Sequence, residues 1–324
     1  DSGLFRTQSQ LEETGYKPVG DRFVAKADEW VRLFEAKMIH QYDHRFGTYE
    51  GATEAHLNKG FLPQFGNAEH LDPCRQNRPE YWVSSAEVDA RLHGAWNRQW
   101  LLGWRDITGT EKQRTVVASL MPRLAVGHTT PLIFTEKDAR LAAALYANLC
   151  SFALDYAARQ KVGGTHLTYG YLKQLPVLAP SIFEASPPWS EPTPLRDWLL
   201  PRVLELSYTA WDLEFFARDV GYDGAPYRWD PDRRFLLRCE VDAAFFHLYA
   251  LSRDDTDYVM DSFPIVRKND EKEHGEYRSK RAILEIYDAM AEASEAGKPY
   301  KTRLDPPPAD PRVAHPVASK KSER

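Results

Sequence analysis

Between Tyr156 and Lys173 the chain reads YAARQKVGGTHLTYGYLK. Three permanent cations (Arg159, Lys161, Lys173), one histidine, three tyrosines and the adjacent Gly163 and Gly164 stand there without a single acid. Such a set suits a polyanion. Cations neutralise phosphates, glycine amides approach them closely, and Thr, His or Arg side chains reach base edges. Thr165, His166, Tyr169 and Arg123 are the candidates for groove contacts, with Lys161 and Lys173 on phosphates. Arg123 and the loop His128-Thr129-Thr130 make a second, weaker set. The same residues also fit a helix C-cap and hairpin with charge merely facing solvent, and composition alone leaves both readings open.

Other chemistry is less well provided for. His40 and His44 are spaced to share one helical face, but Gln41-Tyr42-Asp43 fills the interval where a zinc protease carries its glutamate. The acids Asp254, Asp255, Asp257 and Asp261 lack the glycine and terminal glutamate of a calcium loop and read as a solvated helix start. Asp28, Glu35 and Lys37 contain half of a Mg²⁺-nuclease core, which needs neighbouring strand ends, whereas Trp30-Val31 and Phe34 read as helical. No GxSxG, GxGxxG or GxxxxGK[ST] is present, and no cysteine sits in a catalytic signature. Asn-Pro-Pro-Tyr is absent, and Asp305-Pro-Pro-Pro308 lacks its aromatic. No catalytic residue, metal ligand or cofactor site is therefore assigned to this chain.

The elements that must position the basic segment read as an α+β arrangement. Residues 60–80 are loop-like. The β-branched run 115–117 and the apolar 131–134 predict short strands. Thr135 with Asp138 resembles a capping box, opening a helix that carries Leu141, Leu145, Leu149, Phe152 and Tyr156 on one face. Gly163-Gly164 would close it near Lys161 with positive φ. Residues 184–195 hold four prolines and read as a linker. Beyond it, Pro201 starts a helix closed by Gly221, a second helix covers 233–251 and a third 278–296. The expected organisation is an N-terminal segment (1–80) packed on an α/β recognition domain with its own core (81–183), the linker (184–195), a helical domain (196–297) and an extended tail (298–324).

The 324 residues carry 42 Lys plus Arg against 47 Asp plus Glu, and 43% of them are hydrophobic, which excludes global disorder. Residues 123–180 hold six basic residues against three acids, so this stretch is +3 while the remainder is −8. The longest uncharged apolar run, Leu141 to Leu154, is shorter than the ~20 residues of a membrane span, so no membrane partner is expected. Cys74, Cys150 and Cys239 are isolated and read as reduced thiols of a cytoplasmic protein. The first residue is Asp1, and the chain is read as a fragment.

Seven stretches then become recognisable together: FEAKMIHQYDHRFGTY (34–49), WRDIT (104–108), AVGH (125–128), DYAARQKVGGTHL (155–167), LKQLPVL (172–178), AWDL (210–213) and FPIV (263–266). In this order they resemble the C-terminal target-recognition region of large type IIG-like adenine-specific DNA methyltransferases of restriction–modification and phage-defence systems. The resemblance implies a module that reads duplex DNA beside a methyltransferase domain, in cis or as a separate chain, which binds S-adenosylmethionine. It carries no methyl-transfer residue onto this chain and points mainly to 161–166 and 173–176. Two other classes stand beside it: a scaffold subunit docking other defence-system subunits through 196–297, and a nuclease using Asp28, Glu35 and Lys37.

Overall fold

The computed structural model describes residues 3–316. Helix α1 (Gln8–Glu13) leads into strands β1 (Lys17–Val19), β2 (Arg22–Ala25) and β3 (Asp28–Phe34). Short helices α2 (Glu54–Asn58) and α3 (Asn67–His70) precede β4 (Trp82–Ser84) and α4 (Ser85–Leu92). Next come β5 (Trp100–Trp104), β6 (Ala118–Pro122), β7 (Ala125–Val126), β8 (Leu132–Ile133), α5 (Ala139–Cys150), α6 (Phe152–Lys161), α7 (Tyr169–Leu172) and α8 (Pro180–Glu184). The rest is helical: α9 (Leu195–Ser207), α10 (Glu214–Asp219), α11 (Pro231–Leu248), α12 (Arg253–Asp261), α13 (Pro264–His274) and α14 (Arg278–Glu295). The fold class is α+β, as expected. One sheet runs β1-β2-β3-β4 antiparallel with β7 parallel to β3, and the other runs β6-β5-β8 antiparallel. No single described helix is long and apolar enough to cross a membrane.

Several local expectations change for identifiable reasons. Residues 28–34 form a strand because β2, β4 and β7 pair along it, burying Val31, Arg32, Leu33 and Phe34. The predicted strand at 115–117 stops short of β6 because the Thr115 and Val116 amides donate to the Asp155 carboxylate. Asp138, rather than Thr135, caps α5 by accepting the Leu141 amide. The expected single helix breaks at Ser151, which caps α6, and the two halves meet at 60°. Val162, extended, ends α6, and neither Gly163 nor Gly164 has a positive φ. Pro201 lies inside α9, whose first turn begins earlier because Leu195, Trp198 and Leu199 bury themselves. The helix then ends at Ser207, and Gly221 (φ +94) follows the separate α10.

The proline-rich stretch is packed: Trp189 is buried and its carbonyl accepts the Tyr300 amide at 2.7 Å. The tail is held as well. Tyr300 Oη donates to Glu240, the Ala309 amide donates to Glu205, and Ala314 bridges Tyr227. The terminal SKKSER lies outside the described residues. The helices expected at 233–251 and 278–296 are α11 and α14; of the acid cluster, Asp254 and Asp255 stand in the first turn of α12 behind the Ser252 cap, while Asp257 and Asp261 further along pair with Lys280 at 2.9 Å. One hydrophobic cluster runs from Val31 to Leu304, continuous across the divisions expected at 183 and 195, with Leu11, Phe23 and Trp82 as a small satellite.

Three consecutive side chains tie the parts together. Asp43 accepts from His70 Nε2 at 3.1 Å, His44 Nε2 pairs with Asp212 at 2.7 Å, and Arg45 donates to the carbonyls of His70, Asp72, Arg75 and Thr209. Asp212 also accepts from Arg32, which is 2% exposed. Burial would raise the Asp43 carboxyl, but His70, through its hydrogen bond and charge, and then Arg234 and His44 bring it down to about 2. Burial opposes ionisation of Asp212 too, yet His44, Arg32 and Arg45 hold it well below the usual carboxylate range.

Asp212→Ala leaves Arg32 without its buried counter-ion and is expected to destabilise the fold by about 3–5 kcal/mol in urea denaturation. Asp242 behaves in the opposite way. Burial pushes it up to about 6, despite Arg114 and the hydrogen bond from the Phe152 amide. A carboxyl raised in the folded state loses stability as pH climbs from its unfolded value near 4 through 6. Asp242→Asn is therefore expected to be more stable than the native chain above pH 7, by on the order of 2 kcal/mol, with the advantage vanishing towards pH 4. Urea midpoints between pH 4 and 8 measure it.

Candidate nucleic-acid interface

The strand end beyond β5 organises most of the predicted residues. Arg114, itself donating to Asp155 at 2.6 Å, ties the strand leading to β6 to α6. At the C-terminal end of α6 the chain crosses Gly163-Gly164 and runs antiparallel to 106–108. The Thr108 amide donates to the Thr165 carbonyl at 2.9 Å, and the Leu167 amide to the Asp106 carbonyl at 2.7 Å. On its other side the Asp106 amide donates to Thr129 and the Trp104 amide to Pro131. Trp104 anchors the assembly from beneath: its indole donates to the Leu167 carbonyl and its ring meets Tyr169 edge-on at 4.8 Å.

This arrangement brings Thr129, Thr165, His166 and Tyr169 together, with His128 exposed beside them. Lys161 is the last residue of α6, and Lys173 follows directly after α7. Both lysines are exposed, and neither has an ion-pair partner among the described residues. Gly163 and Gly164 are exposed, and a Cβ on either would meet nothing within 4 Å. They do not serve a crowded turn, which removes the core-packing explanation for the pair.

Two predicted residues have other duties. Arg123 donates to the Trp96 carbonyl and pairs with Asp89 at 2.9 Å, on the β6 side of β5 and away from β8. Its guanidinium is committed, so it does not join the face. The Tyr169 hydroxyl donates to the Leu132 carbonyl and accepts the Leu132 amide, which leaves its half-exposed ring as the available part. Arg159 is also consumed internally, by the carbonyls of Lys112 and Gln113 and by the Phe263 ring.

Sequence reasoning gave no role to Asp106 or Ile107. Asp106 Oδ2 lies 2.6 Å from His166 Nδ1, so the fold supplies an acid to a segment that has none of its own. Ile107 is exposed and opposes His166 across an antiparallel bridge. Their only sequence signal was membership of the WRDIT stretch, whose chemistry is invisible until 165–167 lies beside it.

The remaining candidates do not assemble. Asp28 bonds Tyr16, while Glu35 bonds Tyr49 and Lys37 at the far end of β3, about 20 Å away at strand rise. His40 and His44 sit on a tight turn, not a helix: His40 packs on Phe46 and His44 on Asp212. Burial, with Arg105, Arg238 and Arg114 nearby, lowers the His40 imidazole to about 3. No three His, Cys, Asp or Glu side chains among the described residues could hold a metal ion. Nor do these residues fit S-adenosylmethionine. The parallel strand pair β3–β7 has no glycine-rich βα turn, and all other strand pairs among the described residues are antiparallel.

No family model, curated protein or solved structure matches this chain.

Because both glycines have open Cβ directions and ordinary backbone, Gly163→Ala and Gly164→Ala are expected to stabilise the chain by about 0.4–1 kcal/mol through the unfolded state. Destabilisation in chemical denaturation would assign them a turn role instead.

Proposed function

We propose that this chain is the sequence-specific duplex-DNA recognition part of an adenine-N6 DNA methyltransferase from a restriction–modification or phage-defence system. The partner is a methyltransferase domain, in cis or on a separate chain, which supplies S-adenosylmethionine binding, base flipping and methyl transfer in the cytoplasm. This chain contributes register and sequence choice. The observation that supports the reading is the exposed stretch from Lys161 to Lys173, with Gly163, Gly164, Thr165 and His166 open to solvent and Thr129 held beside it through the Asp106 backbone.

The division of labour follows from the chemistry of each group. Lys161 and Lys173 act as unpaired point charges on phosphates and set position, not sequence. Glycine amides without a side chain beside them admit a phosphate oxygen at hydrogen-bond distance. Thr129, Thr165 and His166 meet the base edges. A net charge of −5 gives no general attraction to DNA, so affinity rests on these local cations and is steeply salt-dependent.

The scaffold reading has one observation in its favour. An apolar groove of about 320 Å³, lined in part by Phe5, Val88, Val126 and Phe134, opens between α4 and the β5–β8 sheet. It lies outside 196–297, where docking was expected. Within that range the exposed large apolar side chains are Phe215 and Tyr258, on different helices.

Binding of the chain to duplex DNA across salt tests the proposal. Lys161→Ala and Lys173→Ala are each expected to weaken all sequences alike and to reduce the log–log salt slope by about one. Absence of duplex binding at low salt would overturn the reading and favour the scaffold.

A further inference from the structure

Ile107 and His166 oppose each other across an antiparallel bridge. Residues paired in this way carry their side chains on the same face, with Cβ atoms about 4.5–5.5 Å apart. Both side chains are about half open to solvent, at 46% for Ile107 and 54% for His166. Behind them the Asp106 carboxylate, 17% exposed, meets His166 Nδ1 at 2.6 Å. An ionised carboxylate can only accept, so an imidazole with one proton carries it at Nδ1. Nε2 is then a bare acceptor on the far side of the ring, and no described residue donates to it.

An outward acceptor beside an outward branched apolar side chain has a definite complement. In the major groove an A·T pair presents the adenine N6 amino donor together with the thymine methyl. A G·C pair offers the cytosine amino group beside guanine acceptors and has no methyl. The half-exposed isoleucine, which contributes little to the core, is explained by the methyl.

We propose that Asp106, Ile107 and His166 form a reader for one A·T base pair. His166 Nε2 accepts the adenine N6–H, Ile107 covers the thymine methyl, and Asp106 is a positioning residue that fixes the proton on Nδ1. This rests on the DNA-recognition function proposed above.

The test selects sites from a randomised duplex pool with the native chain and with His166→Ala, Ile107→Ala and Asp106→Asn, and measures the ¹⁵N shifts of the His166 ring in the free protein. The expected results are a Nδ1-protonated ring and one invariant A·T position in the selected site. His166→Ala relaxes that position about tenfold or more, leaving the others unchanged. Asp106→Asn, whose amide can donate to Nδ1, shifts the ring proton towards Nε2 and weakens the same preference. Uracil in place of thymine there costs the native chain about fourfold, the worth of one buried methyl, and costs Ile107→Ala nothing.

A Nε2-protonated ring in the native chain, or a selected motif unchanged in all three variants, would overturn the A·T reader while leaving DNA recognition intact. No enrichment and no duplex binding by the native chain would remove the recognition function, and the reader with it.

Discussion

The structure depends on three consecutive polar side chains buried in a turn. Asp43 bonds His70 of α3, His44 bonds Asp212 in the segment before α10, and Arg45 reaches both regions through the His70 and Thr209 carbonyls and also holds those of Asp72 and Arg75. A buried arginine needs several acceptors, and a buried carboxylate needs donors or cations, so none of the three can be satisfied locally. They must draw in residues distant in sequence, such as Asp212 and Thr209. The turn itself is tight, with Tyr42 in the left-handed region at φ +59 and its amide donating to the Tyr146 hydroxyl. That contact docks the turn onto α5.

A similar arrangement fixes the basic face. Asp155 is fully buried and accepts from Arg114 and from the Thr115 and Val116 amides, so α6 and the strand leading to β6 cannot shift independently. Arg114 also lies over the Phe152 ring at 3.9 Å. The 163–168 segment thereby leaves α6 at a set point and meets 106–108 in register. The exposed groups on that face owe their positions to buried polar contacts beneath them. A surface built on such a base keeps its side chains in place before any ligand arrives.

Charge is distributed to the same end. Many arginines are spent on carbonyls, carboxylates or aromatic faces, as Arg45, Arg123, Arg159 and Arg202 illustrate. Lys161 and Lys173 are the cations of the face that keep their charge for solvent.

Much of this was legible in the residues. Helical spacing in α11 and α14 announced those helices, because a single apolar face suffices to define a helix against any core. The basic, glycine-containing run stood out because acids are missing over a length where they are common. The start of α12 was marked by Asp254 and Asp255. What the sequence could not state was every feature made by pairing across distance. The strand at 28–34 was hidden because burial on both faces erases alternation. The packed proline stretch and tail were hidden because docking, not composition, orders them. Arg123 looked available until Asp89 and the Trp96 carbonyl claimed it, and Asp106 looked ordinary until His166 lay beside it. The sequence by itself determined which residues could bear charge, cap helices and fill a core, since those are properties of side chains and their local spacing. The tertiary structure alone decided which of those charges remained unpaired and which side chains share a face, since pairing and burial are relations between segments that the linear chain keeps apart.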